Sequence, residues 1–348
     1  MNPSLAKARF LLQGIRNRVR HPGPLRDEWV AAFTDIFGAE PTEAQRSVLR
    51  EVAARNQQAR SARQRYRAVI AGLDQQELAT AFTIRWGPDD VRLHEVEGFS
   101  LYLDRADMSV AQVIRSGAYE RHLLAFFKAF VRPGMHVIDA GANIGFYTLL
   151  SASLAGPLGR VWSFEPNPEN ARLVLASAAH NGFRNIELHP VALGNRRGHA
   201  EFTPAMGSNG GLSDAAHRNV LHPACRIVPI ARLDDFVPPR ADLLKMDVEG
   251  AEGMLLEGAR ASIERCRPVI VSEFSAEMLQ RISGWQGADF IRCIVDMDYA
   301  AFMSDRRSHA LKPITDASAF AGGFAGTGRI EDLVFCPRER LALLPLVA

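Results

Sequence analysis

From residue 135 onward, short apolar runs alternate with stretches of helical spacing. The runs are "MHVIDA", "RVWSFEP", "NIELHPVAL", "DLLKMDV", "RPVIVSEF", "IRCIVDM" and "EDLVFCP". Runs that are apolar nearly throughout are what strands covered on both faces require. Helical segments between them predict crossover connections, and so an α/β fold with a doubly wound, mostly parallel, seven-stranded sheet. Two further extended runs, "HAEFTPA" and "CRIVPIARL", fall between the third and fourth strands and predict an excursion with "GSNGG" at its tip. The glycine-rich "FAGGFAGTG" predicts a loop before the last strand.

The chain ahead of this domain reads differently. Residues 81–134 hold the alternating run "RLHEVEGFSLYLD" and then the helical "MSVAQVIRSGAYERHLLAFFKAFV", a lead-in of strands and helices. Residues 1–80 are rich in Ala, Arg, Gln and Glu, and Thr42 with Gln45 forms a capping box ahead of a long helical stretch. This α-helical N-terminal region carries 13 Lys and Arg against 8 Asp and Glu. It reads as a solvated face or as a docking surface, including one through which two copies of the chain associate. The expected division is therefore 1–80, 81–134 and 135–348.

Composition narrows the classes. A chain of 348 residues with 47% hydrophobic and 23% charged residues buries at least one full core. A net charge of +2 gives no global pull toward nucleic acid, and no nucleic-acid partner is expected. Cys225, Cys266, Cys293 and Cys336 stand far apart with no C-x-x-C pair, the spacing of reduced thiols rather than of a disulfide framework or a zinc site. No run approaches the roughly 18 apolar residues needed to span a bilayer. The stretch "MNPSLAKARFLLQGIRNRVRHP" reads as an amphipathic surface helix or a membrane-skimming one. A cytoplasmic protein is the expectation.

The first strand runs directly into a turn and a helix, "HVIDAGANIGFYTLL". Open α/β sheets present ligands at the carboxyl ends of their strands beside the first crossover. Gly141 and Gly145 let the backbone turn tightly there, and the next helix points its amino end at the site. The spacing is D-x-G-x-N-x-G over Asp139, Gly141, Asn143 and Gly145. It is neither the G-x-G-x-x-G of dinucleotide folds nor a P-loop, so a pyrophosphate is not its natural occupant. The second strand ends in "FEPNP", with Glu165 placed 26 residues after Asp139, where an acid accepts hydrogen bonds from both ribose hydroxyls. Pro166 follows it, and Asn167 ahead of Pro168 caps the next helix.

These motifs, together with "PVALGN" and "LLKMDVEGAEGMLLEGA" followed by "RPVIVSEF", resemble the FkbM family of S-adenosylmethionine-dependent methyltransferases. "LYLDRADMSVAQVIRSGAYERHLL" is similar to the segment that precedes the fold in that family. The resemblance spans roughly residues 95–340 and implies a class I, Rossmann-like methyltransferase with S-adenosyl-L-methionine as methyl donor. It implies that Asp139, Gly141, Asn143 and Gly145 border the methionine part of the donor, Glu165 with Pro166 and Asn167 the ribose, and the stretch around Ala192 the adenine. The implied reaction is O-methylation of an acceptor hydroxyl on a sugar, polysaccharide precursor or natural product. Methyl transfer of this kind needs no metal. An alternative is a binding protein that keeps the donor fold without turnover.

Lys245, Asp247 and Glu249 alternate along the fourth strand, so while the strand continues they share one face. A lysine among carboxylates in an apolar strand is expected to be paired. One reading is a structural ion pair that shapes the loop. The other sets Asp247 toward donor or acceptor and gives the acceptor proton to Glu249, or to Glu273 at the end of the next strand. Other constellations are weaker. Asp296 and Asp298 form a D-x-D of the kind glycosyltransferases place on a nucleotide sugar. His217 and His222 read as surface histidines. "MGSNGGLSDAAH" either covers the acceptor or joins strands.

Overall fold

A computed structural model describes residues 91–345, apart from 105, 106, 108, 205–207, 213–224, 237 and 325. The helical region expected over 1–80, its capping box at Thr42 and Gln45, and His217 and His222 lie outside the described residues. The described unit opens at Val91.

It begins with a hairpin, β1 (Val91–Val96) and β2 (Phe99–Asp104). Glu97 and Gly98, both at positive φ, make its two-residue turn. Asn181 and Ser177 fasten the hairpin to the rest of the fold. Ser100 N donates to Asn181 Oδ1 at 2.8 Å, and Tyr102 N donates to Ser177 Oγ at 3.0 Å. Two helices follow, α1 (Val110–Arg115) and α2 (Arg121–Phe130). The spacing of His122, Leu123, Phe126, Phe127 and Phe130 gives α2 one buried stripe, and the helix stops two residues before Pro133.

The main sheet then assembles in the expected alternation: β3 (His136–Ala140), α3 (Phe146–Ala155), β4 (Arg160–Phe164), α4 (Pro168–His180) and β5 (Ile186–His189). The excursion follows as β6 (Ala192–Leu193), β7 (Gly198–Pro204), β8 (Gly210–Leu212) and β9 (Arg226–Ala231), a separate four-stranded sheet in the order β6-β9-β7-β8. The chain re-enters the main sheet at β10 (Leu243–Met246), continues through α5 (Glu252–Gly258) and α6 (Arg260–Cys266) to β11 (Val269–Phe274), then through α7 (Ala276–Ile282) and α8 (Gly287–Val295) to β12 (Tyr299–Ser304). It closes with β13 (Leu311–Pro313), α9 (Ala317–Gly322) and β14 (Glu331–Pro337).

The order is β13-β12-β14-β11-β10-β3-β4-β5, with β14 inserted antiparallel between β11 and β12. Five neighbouring strands, β11, β10, β3, β4 and β5, are parallel. The sheet is thus doubly wound but mixed, and among the described residues it has eight strands rather than seven. The extra one, β13, is a three-residue edge strand too short and too polar to announce itself. "IRCIVDM" corrects a second expectation. Its first residues end α8, where Phe290, Ile291 and Ile294 form a helical stripe on the sheet, and the sixth strand is "YAAFMS" beyond it. The run "NIELHPVAL" divides between the two sheets, and the first residues of "FAGGFAGTG" belong to α9.

Alternation along the strands separates two cores. Val137, Val161, Leu243 and Val269 face α2, α3 and the hairpin, while Ile138, Trp162, Leu244 and Ile270 face the helices of the other layer. The first core is aromatic: Phe127 is wholly buried, with its ring 4.6 Å from that of Tyr147 on α3. Phe127→Ala should lower unfolding free energy by about 3–5 kcal/mol, read from urea denaturation; a loss below about 1 kcal/mol would mean that α2 is not part of this core.

Candidate functional site

The chain runs from β3 outward to β4 and β5 and then returns to β10 on the other side of β3, so the crossovers change direction between β3 and β10. A cleft opens at the carboxyl ends of these strands, the usual ligand position in such sheets. It encloses about 1030 Å³, counting the part open to solvent. Gly141, Asn143, Glu165, Pro166, Ala192, Lys245, Asp247, Glu249 and Glu273 line it together. Asp139, Gly145 and Asn167 stand behind its wall.

Two positions in the turn after β3 are fitted to glycine. Gly141 has φ of +82°, and a Cβ there would overlap the carbonyl oxygen of Asp247. Gly145, at +96°, caps α3 where a Cβ would press on Leu149 and Val174. Between them Asn143 also sits in the left-handed region, with its Oδ1 accepting from Ile144 N at 2.8 Å.

Glu165 holds the adjoining loops. Its Oε2 accepts from Asn143 N at 2.7 Å and its Oε1 from Asn167 N at 2.8 Å. Burial nevertheless outweighs these bonds and raises its carboxyl to about 8. Asn167 caps α4 through Glu169 N. The tip of the excursion closes over the cleft: Asn170 Nδ2 donates to Ser208 O at 2.7 Å, and Asn143 Nδ2 to Asn209 Oδ1 at 3.0 Å. Phe164, Val191, Ala192 and Leu193 give this end an apolar wall.

The other end is ionic. Lys245 is buried, with Nζ 2.7 Å from Asp247 Oδ2, 3.9 Å from Asp139 Oδ1 and 5.1 Å from the centre of the Tyr147 ring. Parallel register sets Lys245 beside Asp139 and Asp139 beside Ser163. Thr148 on α3 donates to Asp139 Oδ2 at 2.6 Å and lies 2.8 Å from Ser163 Oγ. Burial opposes the Lys245 charge, but Asp247, Asp139 and Glu120 outweigh it and hold the ammonium above its ordinary range. Burial raises Asp139, against the pull of Lys245 and Thr148.

The strand ends at Met246, so the alternation does not carry Glu249 with it. Glu249 instead occupies a left-handed turn at φ of +56° with Gly250, and Glu252 fixes that turn by accepting from Val248 N at 2.9 Å and Gly250 N at 3.3 Å. Burial, then Asp247, raises Glu249 to about 7. Glu273, across β11·β14 from Asp332, is raised well above the carboxylate range by burial and then by Asp247, Glu249 and Glu252.

Among the lining residues that escaped the sequence reading are Tyr119, Glu120 and Tyr147. Glu120 ahead of α2 has the sequence signature of a capping acid, yet it makes no cap and turns into the cleft. Asp296 and Asp298 sit at the amino end of β12, opposite the cleft, where Asp298 lies 3.5 Å from Arg338.

Residues 139–300 match the family model described as the methyltransferase FkbM domain. Over 135 residues it is 32% identical to a protein-L-isoaspartate O-methyltransferase of Triticum aestivum, covering 38% of this chain and 54% of that protein. Over 143 residues it is 30% identical to methyltransferase 1 of Beauveria bassiana (strain ARSEF 2860), covering 35% and 57%. The chain thus spans about half the length of these curated relatives. The crystal structure of a methyltransferase FkbM from Methylobacillus flagellatus KT aligns with 17% identity and a TM-score of 0.38, over 74% of this chain and 65% of that one.

Two measurements check the electrostatics. Lys245→Met leaves the buried Asp139 and the half-buried Asp247 without a cation and should cost about 3–5 kcal/mol of stability; a neutral outcome in urea unfolding would mean the carboxylates are hydrated. Glu165, raised in the fold, contributes most stability below its unfolded value, and that contribution is lost as pH climbs toward about 8. The stability of the wild type relative to Glu165→Gln should therefore fall between about pH 5 and pH 8. A constant difference would remove the raised carboxyl.

Proposed function

We propose that the protein is an S-adenosylmethionine-dependent methyltransferase that methylates a hydroxyl of a sugar, polysaccharide precursor or hydroxylated natural product. The observation that carries this reading is the polarity of the cleft. One end is apolar and carries Glu165, and the other holds several carboxylates against one lysine that Asp247 and Asp139 already engage.

The donor fits the residues present. Gly141 leaves the backbone bare where a ligand approaches. Each Glu165 oxygen that accepts one backbone N–H keeps a lone pair for a ribose hydroxyl. The wall of Phe164, Val191, Ala192 and Leu193 suits a purine face. Bound there, S-adenosylmethionine supplies a methyl group activated by its cationic sulfur, and the acidic end of the cleft suits that charge.

The chain's own work is then orientation and proton handling. Holding two reactants in line is worth on the order of 7–11 kcal/mol of the barrier. A hydroxyl loses its proton as it accepts a methyl group, and a carboxylate raised to about 7, as Glu249 is, takes a proton effectively near neutral pH. Glu273 is the second candidate for that step. The isoaspartate named for the Triticum relative is acidic, and a carboxylate acceptor would meet repulsion from Glu249 and Glu273 here. A hydroxyl acceptor avoids that repulsion.

Isothermal titration should show S-adenosylmethionine and its demethylated product binding and NAD not binding. Glu165→Ala should weaken both by at least about tenfold. Preference for NAD, or no binding to either sulfur compound, overturns the reading. With an acceptor found by screening labelled donor against glycans and hydroxylated metabolites, Glu249→Gln or Glu273→Gln should lower kcat about 10²–10⁴-fold while leaving donor affinity in place.

A further inference from the structure

A second space adjoins the cleft. It is a groove of about 1470 Å³, counting the part open to solvent, bordered by α1, the turn into α2 and the β12–β13 connection, where Arg306 and His309 lie. Val110, Tyr119, Glu120 and Asn209 line both spaces. Among the described residues Glu120 is the one ionisable carboxylate that lines both: Asp247, Glu249 and Glu273 line the cleft and not the groove. If the donor occupies the cleft, a second reactant enters by the groove, and the two meet at the junction.

The geometry of Glu120 combines three unusual features. Its backbone is left-handed, at φ of 36° and ψ of 50°, a conformation that is costly for a residue with a side chain. It stands at the amino end of α2, where an acid normally caps free N–H groups, and it makes no such bond. The carboxylate turns inward instead, and its Oε2 is buried without a hydrogen-bond partner. Lys245, which attracts it, makes its direct contact with Asp247, at 2.7 Å. A strained backbone that delivers a carboxylate with one buried, unbonded oxygen to the meeting point of two cavities is a feature that serves a cationic ligand.

We propose that Glu120 determines the charge selectivity of this cleft, facing the sulfonium of the methyl donor so that the cationic donor is held in preference to the neutral thioether product. The proposal rests on the S-adenosylmethionine reading and extends it. Once the methyl group has left, the sulfur is uncharged and the attraction is gone, so the same carboxylate that retains the donor lets the product leave.

The groups that face Glu120 are Asp247 and Lys245 from β10 and its turn, Asp332 from β14 and Tyr147 from α3. Burial first, and then Asp247, raise its carboxyl to about 7 against the pull of Lys245. Selectivity should therefore depend on pH across neutrality. The donor and its product share the same nucleoside and amino acid, so the ratio of their affinities largely cancels the ligands' own titration and isolates the response to the sulfur's charge.

The test is isothermal titration of the full-length protein with S-adenosylmethionine and S-adenosylhomocysteine from about pH 5.5 to about pH 8.5. In the wild type the preference for the sulfonium should rise by at least about fivefold across this range. In Glu120→Gln it should stay flat within about twofold, with thioether affinity near the wild-type value, which also shows that the variant is folded. Glu249→Gln, altering another carboxyl near 7, should keep the rise. A rise that persists in Glu120→Gln, or that is lost only in Glu249→Gln, overturns the proposal and leaves the donor reading intact. Absence of binding to either compound by the wild type overturns the donor reading itself.

Discussion

The arrangement turns on one buried ammonium. Lys245 sits in the middle of the sheet with Asp139 across the neighbouring strand and Asp247 two residues further along its own chain. An isolated charge at that depth is prohibitively costly, and two flanking carboxylates make it tolerable. Thr148, itself bonded to Ser163, donates to Asp139 Oδ2 on one side and leaves Oδ1 to face the ammonium, and the Tyr147 ring covers the ammonium on the other. β3, β10 and α3 are therefore held together by polar demand as well as by apolar packing. Any shift of register between β3 and β10 would separate Lys245 from Asp139, so the pair also specifies the alignment that opens the cleft.

The loops around the cleft follow a second rule, in which buried carboxylates are spent on backbone N–H groups. Glu165 ties the turns after β3 and β4, and Glu252 fixes the turn after β10. Bonds of this kind are short-range and directional, and they allow left-handed residues such as Asn143 and Glu249 to persist. Glu120 and Glu273 obey neither rule. They sit near the ionic end without a cation of their own, and burial raises both.

Much of the fold was legible because parallel strands covered on both faces leave an unmistakable apolar record, and because Gly141, Gly145 and Asn167 have local reasons to stand where they do. The failures are equally physical. α8 was read as a strand because its buried stripe, Phe290, Ile291 and Ile294, combines with Val295 into an apolar run that periodicity over so short a window cannot divide. β13 is an edge of three residues, two of them exposed. In the site, the alternation of Lys245 and Asp247 was readable, whereas the strand's end at Met246 was not, and it places Glu249 by turn geometry. Glu120 was invisible for a different reason. Its inward turn depends on where α2 packs against β14, and His122 on α2, 2.7 Å from Asp332, is a contact between residues far apart in the chain.

A crowd of raised carboxylates has a thermodynamic meaning that does not depend on which of them acts. Every group held above its ordinary value favours the protonated form in the fold, so ionising it near neutral pH draws on the stability of the folded state. Evolution of a purely structural core would replace such residues with apolar ones of similar volume, often at no loss of stability. Under the proposed donor reading, their presence at one end of a ligand-sized cleft leaves charge there for the ligand's cation to complete. A cation that binds there lowers the cost of ionisation for all of them together. Its binding energy is then drawn partly from strain already stored in the empty protein, and that strain is what distinguishes a charged ligand from a neutral one of the same shape.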